Sequence, residues 1–387
     1  MDWSERMTNE IEIVGTGPAG LVAGINLAKA GYRVTIYEEK PDVGHRFNGD
    51  FQGLENWSSE EDVTVLLERF GVYNKVCIEY ICQPYNKLVI FDANLNKTVL
   101  QSERPFFYLV QRGGWPGCLD YGLMEQAVQS GVEIVFNKRV DKLEKGGIIG
   151  IGPRAADAIA KGIVFNTNMK DTAAAILDDR LAPKGYAYLL VHRGKATMAT
   201  CMFKDFKREK ECFERTVETF KKVFLSLDIT NAKEFGGYGN FFFDKPAFEN
   251  GKYYVGEASG LQDCLFGFGM RYAIMSGLFA AKSIIEKMDY TALLKGELEP
   301  MQKTSLANRL IFERLGNRGY TYFINHLAKG NAVEKIRRQY NPSFLKTLLY
   351  PFASWKYKSR LVDKGCHGEG CACVWCRCRK DEVCQEI

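Results

Sequence analysis

Gly15, Gly17 and Gly20 form a G-x-G-x-x-G run, with Pro18 and Ala19 between the last two glycines. Glycines at this spacing serve a ligand that carries a pyrophosphate. Gly15 permits a tight turn, Gly17 lets backbone approach the ligand without a Cβ in the way, and Gly20 lets a helix pack closely on a strand. The anion then rests on the unpaired amides of the helix N-terminus. Glu38 follows Gly15 by 23 positions, with Glu39 beside it, where a carboxylate accepts hydrogen bonds from ribose hydroxyls. A later group, Gly256-Glu257-Ala258-Ser259-Gly260 and then Gly267-Phe268-Gly269-Met270, again sets free amides at the start of a helical stretch, open to an electron-rich group. Of the 12 cysteines, Cys366, Cys371, Cys373, Cys376, Cys378 and Cys384 crowd the last stretch beside His367, and six stand singly before it. Thiolates this close are ready ligands for zinc or an iron–sulfur cluster; a dithiol relay is a third use, and a metal-free tail the plain alternative.

These groups need elements to position them. Residues 11–14 read as a strand, 21–30 as a helix and 32–37 as a second strand, so the first glycine run sits in a complete βαβ unit. That context outweighs the alternative of a glycine turn that binds nothing. Short β-type runs follow at 76–80, 88–92 and 98–101, then a Gly/Pro turn at 113–117, a helix at 121–130 and a strand at 132–136, which together suggest an inserted sheet. Gly150 and Gly152 follow a short strand at 148–151, but no acid closes a second strand, so they read as a strand-end turn and not as a second nucleotide site. Runs at 162–167, 186–191 and 196–202 with a charged helix at 209–226 fit an antiparallel sheet with one covered face, a wall for a large substrate. A strand at 253–255 and a helix at 270–287 frame the second glycine group.

The 387 residues, 46% hydrophobic and 26% charged, suit a folded globular chain, and no run reaches the roughly 18 apolar residues of a spanning helix. Residues 1–10 are polar and acidic, so a cytoplasmic location is expected. The net charge of +5 is uneven: residues 331–364 hold eight Lys or Arg against two acids, a net +6, while residues 1–330 are neutral. A broad basic field suited to nucleic acid is absent. Within the basic stretch, Phe344, Leu345, Leu348, Leu349, Tyr350, Pro351, Phe352 and Trp355 alternate with Lys346, Lys356, Lys358 and Arg360. That mixture suits peripheral contact with the inner face of an anionic membrane, and equally a helix packed on its own domain with a solvated basic face.

Taken together, the first glycine motif, its acid and the late G-[DE]-A-x-G…G-x-G-helix element resemble flavoproteins of the p-hydroxybenzoate hydroxylase fold. Residues 11–38, 181–198 and 256–284 look most like the geranylgeranyl reductases, including the archaeal enzymes that saturate digeranylgeranylglycerophospholipids. The resemblance implies a mixed α/β chain: a Rossmann-like FAD-binding domain (1–60, 105–165, 250–290), an inserted antiparallel β-sheet substrate domain (61–104, 166–249), a C-terminal helical basic segment (291–364) and a Cys-rich tail (365–387). It implies FAD with its pyrophosphate on Gly15, Gly17, Pro18, Ala19 and Gly20 and its ribose on Glu38 and Glu39. Arg46 and Arg112 belong near the pyrophosphate side of that set and Val140 near adenine, while Gly256, Glu257, Gly267, Phe268, Gly269 and Met270 belong by the flavin. Glu257 stands where the family has an aspartate.

The implied reaction is hydride delivery from reduced flavin to an isolated carbon–carbon double bond of a prenyl lipid, with electrons from ferredoxin, a reduced nicotinamide or a deazaflavin. Asn48-Gly49-Asp50 occupies the place of the family's Cys-Gly-Glu, leaving that cysteine's role vacant, and the hydroxylases' second Asp-Gly motif is missing from 141–165. Cys264, by analogy in a loop facing the flavin, and Tyr186 are the candidate proton donors. For Cys264 the alternative is a small buried hydrophobe; His45 reads as structural. Two other functions stay open: a monooxygenase or quinone-linked dehydrogenase of the same fold, and a non-catalytic module whose metal-bound tail recruits partners.

Overall fold

The computed structural model describes residues 9–69, 71–72, 83–153, 156–241 and 247–357. The expected βαβ unit is present: β1 (Glu10–Val14), α1 (Pro18–Lys29) and β2 (Arg33–Tyr37), with β1 and β2 paired in parallel from Glu10–Arg33 to Val14–Tyr37. Helix α1 begins with proline at its first position and stops at Gly31, whose φ of +89° continues no helix. Ile13, Leu21, Val22, Ile25 and Ile36 are fully buried in this layer, each worth about 1.5–3 kcal/mol of apolar transfer.

β1 lies inside a six-stranded sheet. Parallel partners on its two sides are β9 (Gly147–Ile149) with β16 (Lys252–Tyr254), and β2 with β8 (Glu133–Val135); β15 (Phe248–Glu249) closes one edge antiparallel. Helix α3 (Leu119–Gln129) and α5 (Met270–Glu286) pack on α1. A small sheet of β3 (Phe51–Glu55), β7 (Phe107–Gln111) and β4 (Gln83–Tyr85) stands beside it. Helix α2 (Val63–Arg69) buries Val63, Leu66 and Leu67 in the core of the parallel sheet. That stretch therefore goes with the nucleotide-type layer, not with the antiparallel sheet expected over 61–104.

The second large sheet has seven strands. β10 (Ala158–Asn166), β12 (Tyr186–His192) and β13 (Lys195–Met202) occupy the expected runs, and β14 (Thr230–Gly239) and β11 (Thr172–Ile176) add to them. β5 (Lys87–Phe91) and β6 (Lys97–Gln101) do not form a separate sheet: β5 pairs in parallel with β11 and extends this one. One face, with Ile163, Ala187, Leu189, Val191 and Met198, is covered by Phe213 and Phe220 of α4 (Glu209–Val223). The C-terminal helices are α6 (Tyr290–Glu297), α7 (Glu299–Ala328, broken at Gly316), α8 (Ala332–Tyr340) and α9 (Phe344–Tyr357). No helix among the described residues is long and apolar enough to cross a membrane. The expected strand at 76–80 and the tail cysteines lie outside the described residues.

The crossing of α1 and α5 leaves no room for a side chain at Gly277, where a Cβ would lie 2.1 Å from the Ala19 carbonyl oxygen. Gly296, in α6, has nothing within 4 Å of such an atom. Gly277→Ala should therefore lose about 1–3 kcal/mol in urea unfolding, while Gly296→Ala gains up to about 1 kcal/mol. Equal effects from the two substitutions would contradict this packing.

Candidate active site

The glycine turn is built from backbone contacts. A Cβ on Gly15, which has φ +99°, would lie 2.6 Å from the Gly150 carbonyl oxygen, and one on Gly20 would lie 2.1 Å from that of Gly15. At Gly17 the nearest atom would be 3.8 Å away, so that position stays open. Gly17 is also the N-cap of α1 and no side chain caps the helix, so its first-turn amides need an outside acceptor. Beside them, Glu38 accepts from the Thr16 N–H (2.9 Å) and hydroxyl (2.7 Å), and its other oxygen accepts from the Lys40 N–H (3.0 Å). The carboxylate is thus fixed next to the turn.

This turn opens into a cavity of about 1660 Å³, larger than the roughly 300–1,000 Å³ of an ordinary ligand pocket and so able to take a cofactor and a substrate together. Gly15, Gly17, Pro18, Ala19, Glu38, Glu39, Arg46, Arg112 and Val140 line it, as do Gly256, Glu257 and Gly267 to Met270. Gly20 sits behind Gly15 and is not on the wall. Helix α5, like α1, starts without a side-chain cap, and its first residue Met270 is on the wall. A dinucleotide fits this arrangement: two uncapped helix N-termini, an open glycine position and a fixed acid all meet one cavity.

Arg112 is buried and held in two bonds by Asp120 (2.8 and 2.7 Å), gives a third to Gln52 (3.0 Å) and lies 4.0 Å over the Phe47 ring. Its charge is therefore neutralised by Asp120 in this arrangement. Arg46 reaches Glu257 at 3.7 Å, tying the start of the cavity wall to the second glycine group.

The remaining wall is apolar and aromatic, and Tyr186 belongs to it. Its hydroxyl donates to the Phe266 carbonyl (2.9 Å), and burial pushes the phenol far above its ordinary value. Cys264 is elsewhere. It is 1% exposed, packed with Phe241, Leu306, Leu310 and Ala353, and absent from the cavity wall. Burial raises its thiol further from ionisation, so the expectation that Cys264 faces the reacting groups is corrected to the small buried hydrophobe. The wall carries Cys201 instead, the cross-strand partner of Tyr186 in register, with its thiol pushed up to about 12 by burial.

Two residues that sequence reasoning passed over hold the loop at 262–269. Asp263, 2% exposed, accepts from the N–H groups of Phe266 (2.8 Å) and Leu265 (3.2 Å) and from the Tyr340 hydroxyl (3.1 Å). Arg309, fully buried, donates to the Leu265 carbonyl (2.7 Å) and to the Lys184 carbonyl, and its guanidinium lies 4.2 Å over the Phe203 ring. Asp50, on the cavity wall, is a second buried acid: its oxygens accept from the Asn48 N–H (3.2 Å) and the Gln52 amide (2.8 Å), and burial pushes its carboxyl up. An acid inside a glycine-flanked or apolar run was the available signal for both aspartates.

A family model of NAD(P)-binding Rossmann-like domains matches residues 13–52. The thiamine thiazole synthase of Thermococcus kodakarensis is 40% identical over 76 residues, 19% of this chain and 30% of that protein. That of Pyrococcus furiosus is 36% identical over 63 residues, 16% and 25% of the two chains. The match thus spans less than a third of either relative. Among solved structures, a geranylgeranyl bacteriochlorophyll reductase-like protein from Thermoplasma acidophilum superimposes with a TM-score of 0.64 at 17% identity, over 90% of this chain and 98% of that one. The flavin-dependent brominase Bmp2 gives 0.64 at 13% identity over 90% and 100%. The p-nitrophenol 4-monooxygenase of Pseudomonas putida gives 0.56 at 14% over 87% and 100%. The chain has the mixed α/β fold these proteins share, with a Rossmann-like domain at its N-terminus.

Burial raises the Asp263 carboxyl from 3.8 to about 6. The folded chain then holds a proton that the unfolded chain releases, so this group's contribution to stability falls as pH rises from about 4 to about 6, by up to about 3 kcal/mol. Asp263→Asn keeps an acceptor for the loop amides and removes that titration. Urea unfolding at each pH should show the variant gaining on the native chain across this window; a constant difference would remove the buried acid from the account.

Proposed function

We propose that this chain is an FAD-dependent oxidoreductase that saturates carbon–carbon double bonds of prenyl chains. The observation that carries the reading is one cavity joining a dinucleotide cradle to an apolar wall that includes Trp57, Leu88, Ile90, Phe106, Leu177 and Leu190. The likeness in fold to the geranylgeranyl reductase-like protein supports the same substrate class. In this reading the open backbone at Gly17 and the Ala19 amide meet the pyrophosphate, Gly15 and Pro18 shape the turn that holds them, Glu38 and Glu39 accept from the ribose, and Val140 borders adenine. Gly267 to Met270 and the uncapped start of α5 place positive potential beside the ring. Bound there and reduced by a donor of the ferredoxin, nicotinamide or deazaflavin type, FAD would supply a hydride, one hydrogen with its electron pair, to one alkene carbon.

The other alkene carbon needs a proton, and no carbonyl polarises an isolated alkene. The chain's task is to exclude water and hold an acid at the wall. Asp50 is that acid in our reading, because burial keeps its carboxyl protonated to higher pH than an exposed aspartate. Tyr186 and Cys201, both disfavoured as anions, shape the apolar wall, and the Tyr186 hydroxyl holds the Phe266 carbonyl. The tail cysteines, Cys366 to Cys384, would hold zinc or an iron–sulfur centre on the donor side. A hydroxylating or halogenating flavoenzyme is the second reading, favoured by the equal fold likeness to the brominase.

Protein purified without air should show oxidised-flavin bands after exposure to oxygen, and iron or zinc by elemental analysis. Photoreduced enzyme given a geranylgeranyl lipid without oxygen should reoxidise and yield a product heavier by two hydrogens per bond. Oxygen uptake coupled to an oxygenated or halogenated product, with no saturated lipid, would replace this reading by the second. Activity should be full at low pH and fall as pH rises through the raised Asp50 value. Asp50→Asn should cost about 10²–10⁴ in the saturation rate and abolish that fall, with flavin absorbance unchanged. An unaltered pH profile in the variant would take the proton donor elsewhere.

A further inference from the structure

Helix α9 turns its greasiest face away from the protein. Phe344, Leu345, Leu348, Phe352 and Trp355 are all exposed, Phe344 and Trp355 by 81% and 76%. At about 100° per residue these five side chains share an arc of about 100°. The opposite arc, Leu349, Tyr350, Ala353 and Tyr357, packs against Leu306, Leu310 and Phe203. Among the described residues the helix is therefore anchored by one face and unpartnered on the other, and the unpartnered face carries Phe344, Phe352 and Trp355. Elsewhere, exposed large apolar residues such as Leu225 in the turn after α4 stand outside any such stripe.

We infer that this face of α9 docks on the surface of an anionic lipid bilayer. Three observations select that occupant. The stripe combines Phe, Leu and Trp on a helix too short to span, the composition of a segment lying in the headgroup plane. It belongs to a basic stretch of the sequence: residues 331–364 carry net +6 in a chain otherwise neutral to residue 330, which complements anionic headgroups. A second copy of the chain fits poorly, because pairing would oppose two +6 segments, and five side chains on a 14-residue helix fall short of the roughly 1,200 Å² that stable dimers bury.

The anchored face gives the docking a consequence. Phe203 and Ala158, which pack in the same cluster as Leu349, Tyr350 and Tyr357, also line the large cavity. A bilayer under α9 would sit one side-chain layer from the cavity wall. The docking does not rest on the proposed reaction, and vesicle binding is read without turnover.

The full chain should co-sediment with vesicles of mixed phosphatidylcholine and phosphatidylglycerol, and much less with phosphatidylcholine alone. Leu348→Glu with Phe352→Glu should lower the partition coefficient by at least about tenfold. Leu225→Glu, more exposed still and off the stripe, should leave it unchanged. Circular dichroism and the unfolding midpoint check that all variants fold. No binding by the native chain, or binding that survives the paired substitutions, overturns the proposal. Light scattering without lipid supplies a further decision: a dimer that the same paired substitutions dissociate, with no vesicle binding, assigns the face to a second copy and overturns it as well.

Discussion

The constraint on which the site depends is backbone on backbone at the start of α1. The Gly15 carbonyl fills the space where a Gly20 side chain would begin, Gly150 fills the space beside Gly15, and Ala19 fills the space over Gly277. Four glycines from three separate stretches thus let β1, α1, β9 and α5 approach within contact of their main chains. Only that approach puts the first turn of α1, the Gly256 loop and the Gly267 loop around one cavity. A methyl group on Gly15, Gly20 or Gly277 would push a whole element outward, because a rigid strand or helix cannot yield locally as a side chain does; at Gly150 the nearest atom, on the Val255 side chain, would be 3.3 Å away. The anion cradle is therefore a by-product of close packing, and its location is as fixed as the core.

A second requirement follows from the cavity's size. A space of about 1660 Å³ must be kept open between two sheets without the loop at 262–269 collapsing into it. Polar groups buried behind that loop supply the stiffness. Asp263 collects two loop amides and a tyrosine hydroxyl, and Arg309 collects two carbonyls from different segments. Buried charges of this kind contribute little net stability while they are satisfied. Their effect is geometric, since each alternative loop position would strand a desolvated charge or carbonyl, at about 3–5 kcal/mol for a broken buried pair.

The parts legible in the sequence are those whose signal is local. The βαβ unit could be read because strand, glycine turn, helix and acid lie within residues 10–38 and each has its own chemistry. Tyr186, Tyr188 and Leu190 alternate with Ala187, Leu189 and Val191, so the period of two already separated a cavity face from a core face. Pairing between distant runs was not legible. The resemblance grouped 61–104 with 166–249, but nothing within 87–101 itself states that β5 will find β11, more than 70 residues later and in parallel. β14 escaped notice for a different reason: Thr230–Gly239 is glycine-bearing and exposed over its first half, so it lacks the apolar alternation that marks a strand. Among the single cysteines, type alone could not decide between Cys264 and Cys201. The choice depends on which face of β13 meets Tyr186 and on what α7 lays over Cys264, both tertiary facts.

The C-terminal helices appear from sequence as an appendage with an unusual charge, yet their buried side is integral to the cavity. Arg309 of α7 and Tyr340 of α8 reach the loop at 262–269, and Phe323, Leu327 and Ile336 of the same two helices line the cavity itself. The surface ion pairs of this region, such as Arg337 with Glu334 and Glu60, are exposed on at least one partner and contribute little. What binds the helices to the rest is therefore the apolar wall and the buried polar frame. The same sequence segment thus has two chemically opposite sides. One is committed to holding the loop and closing the cavity, so its residues are constrained by geometry. The other, along α9, is free of that duty, and a row of exposed aromatic side chains there costs solubility without serving the fold, which is why it calls for a partner outside the chain.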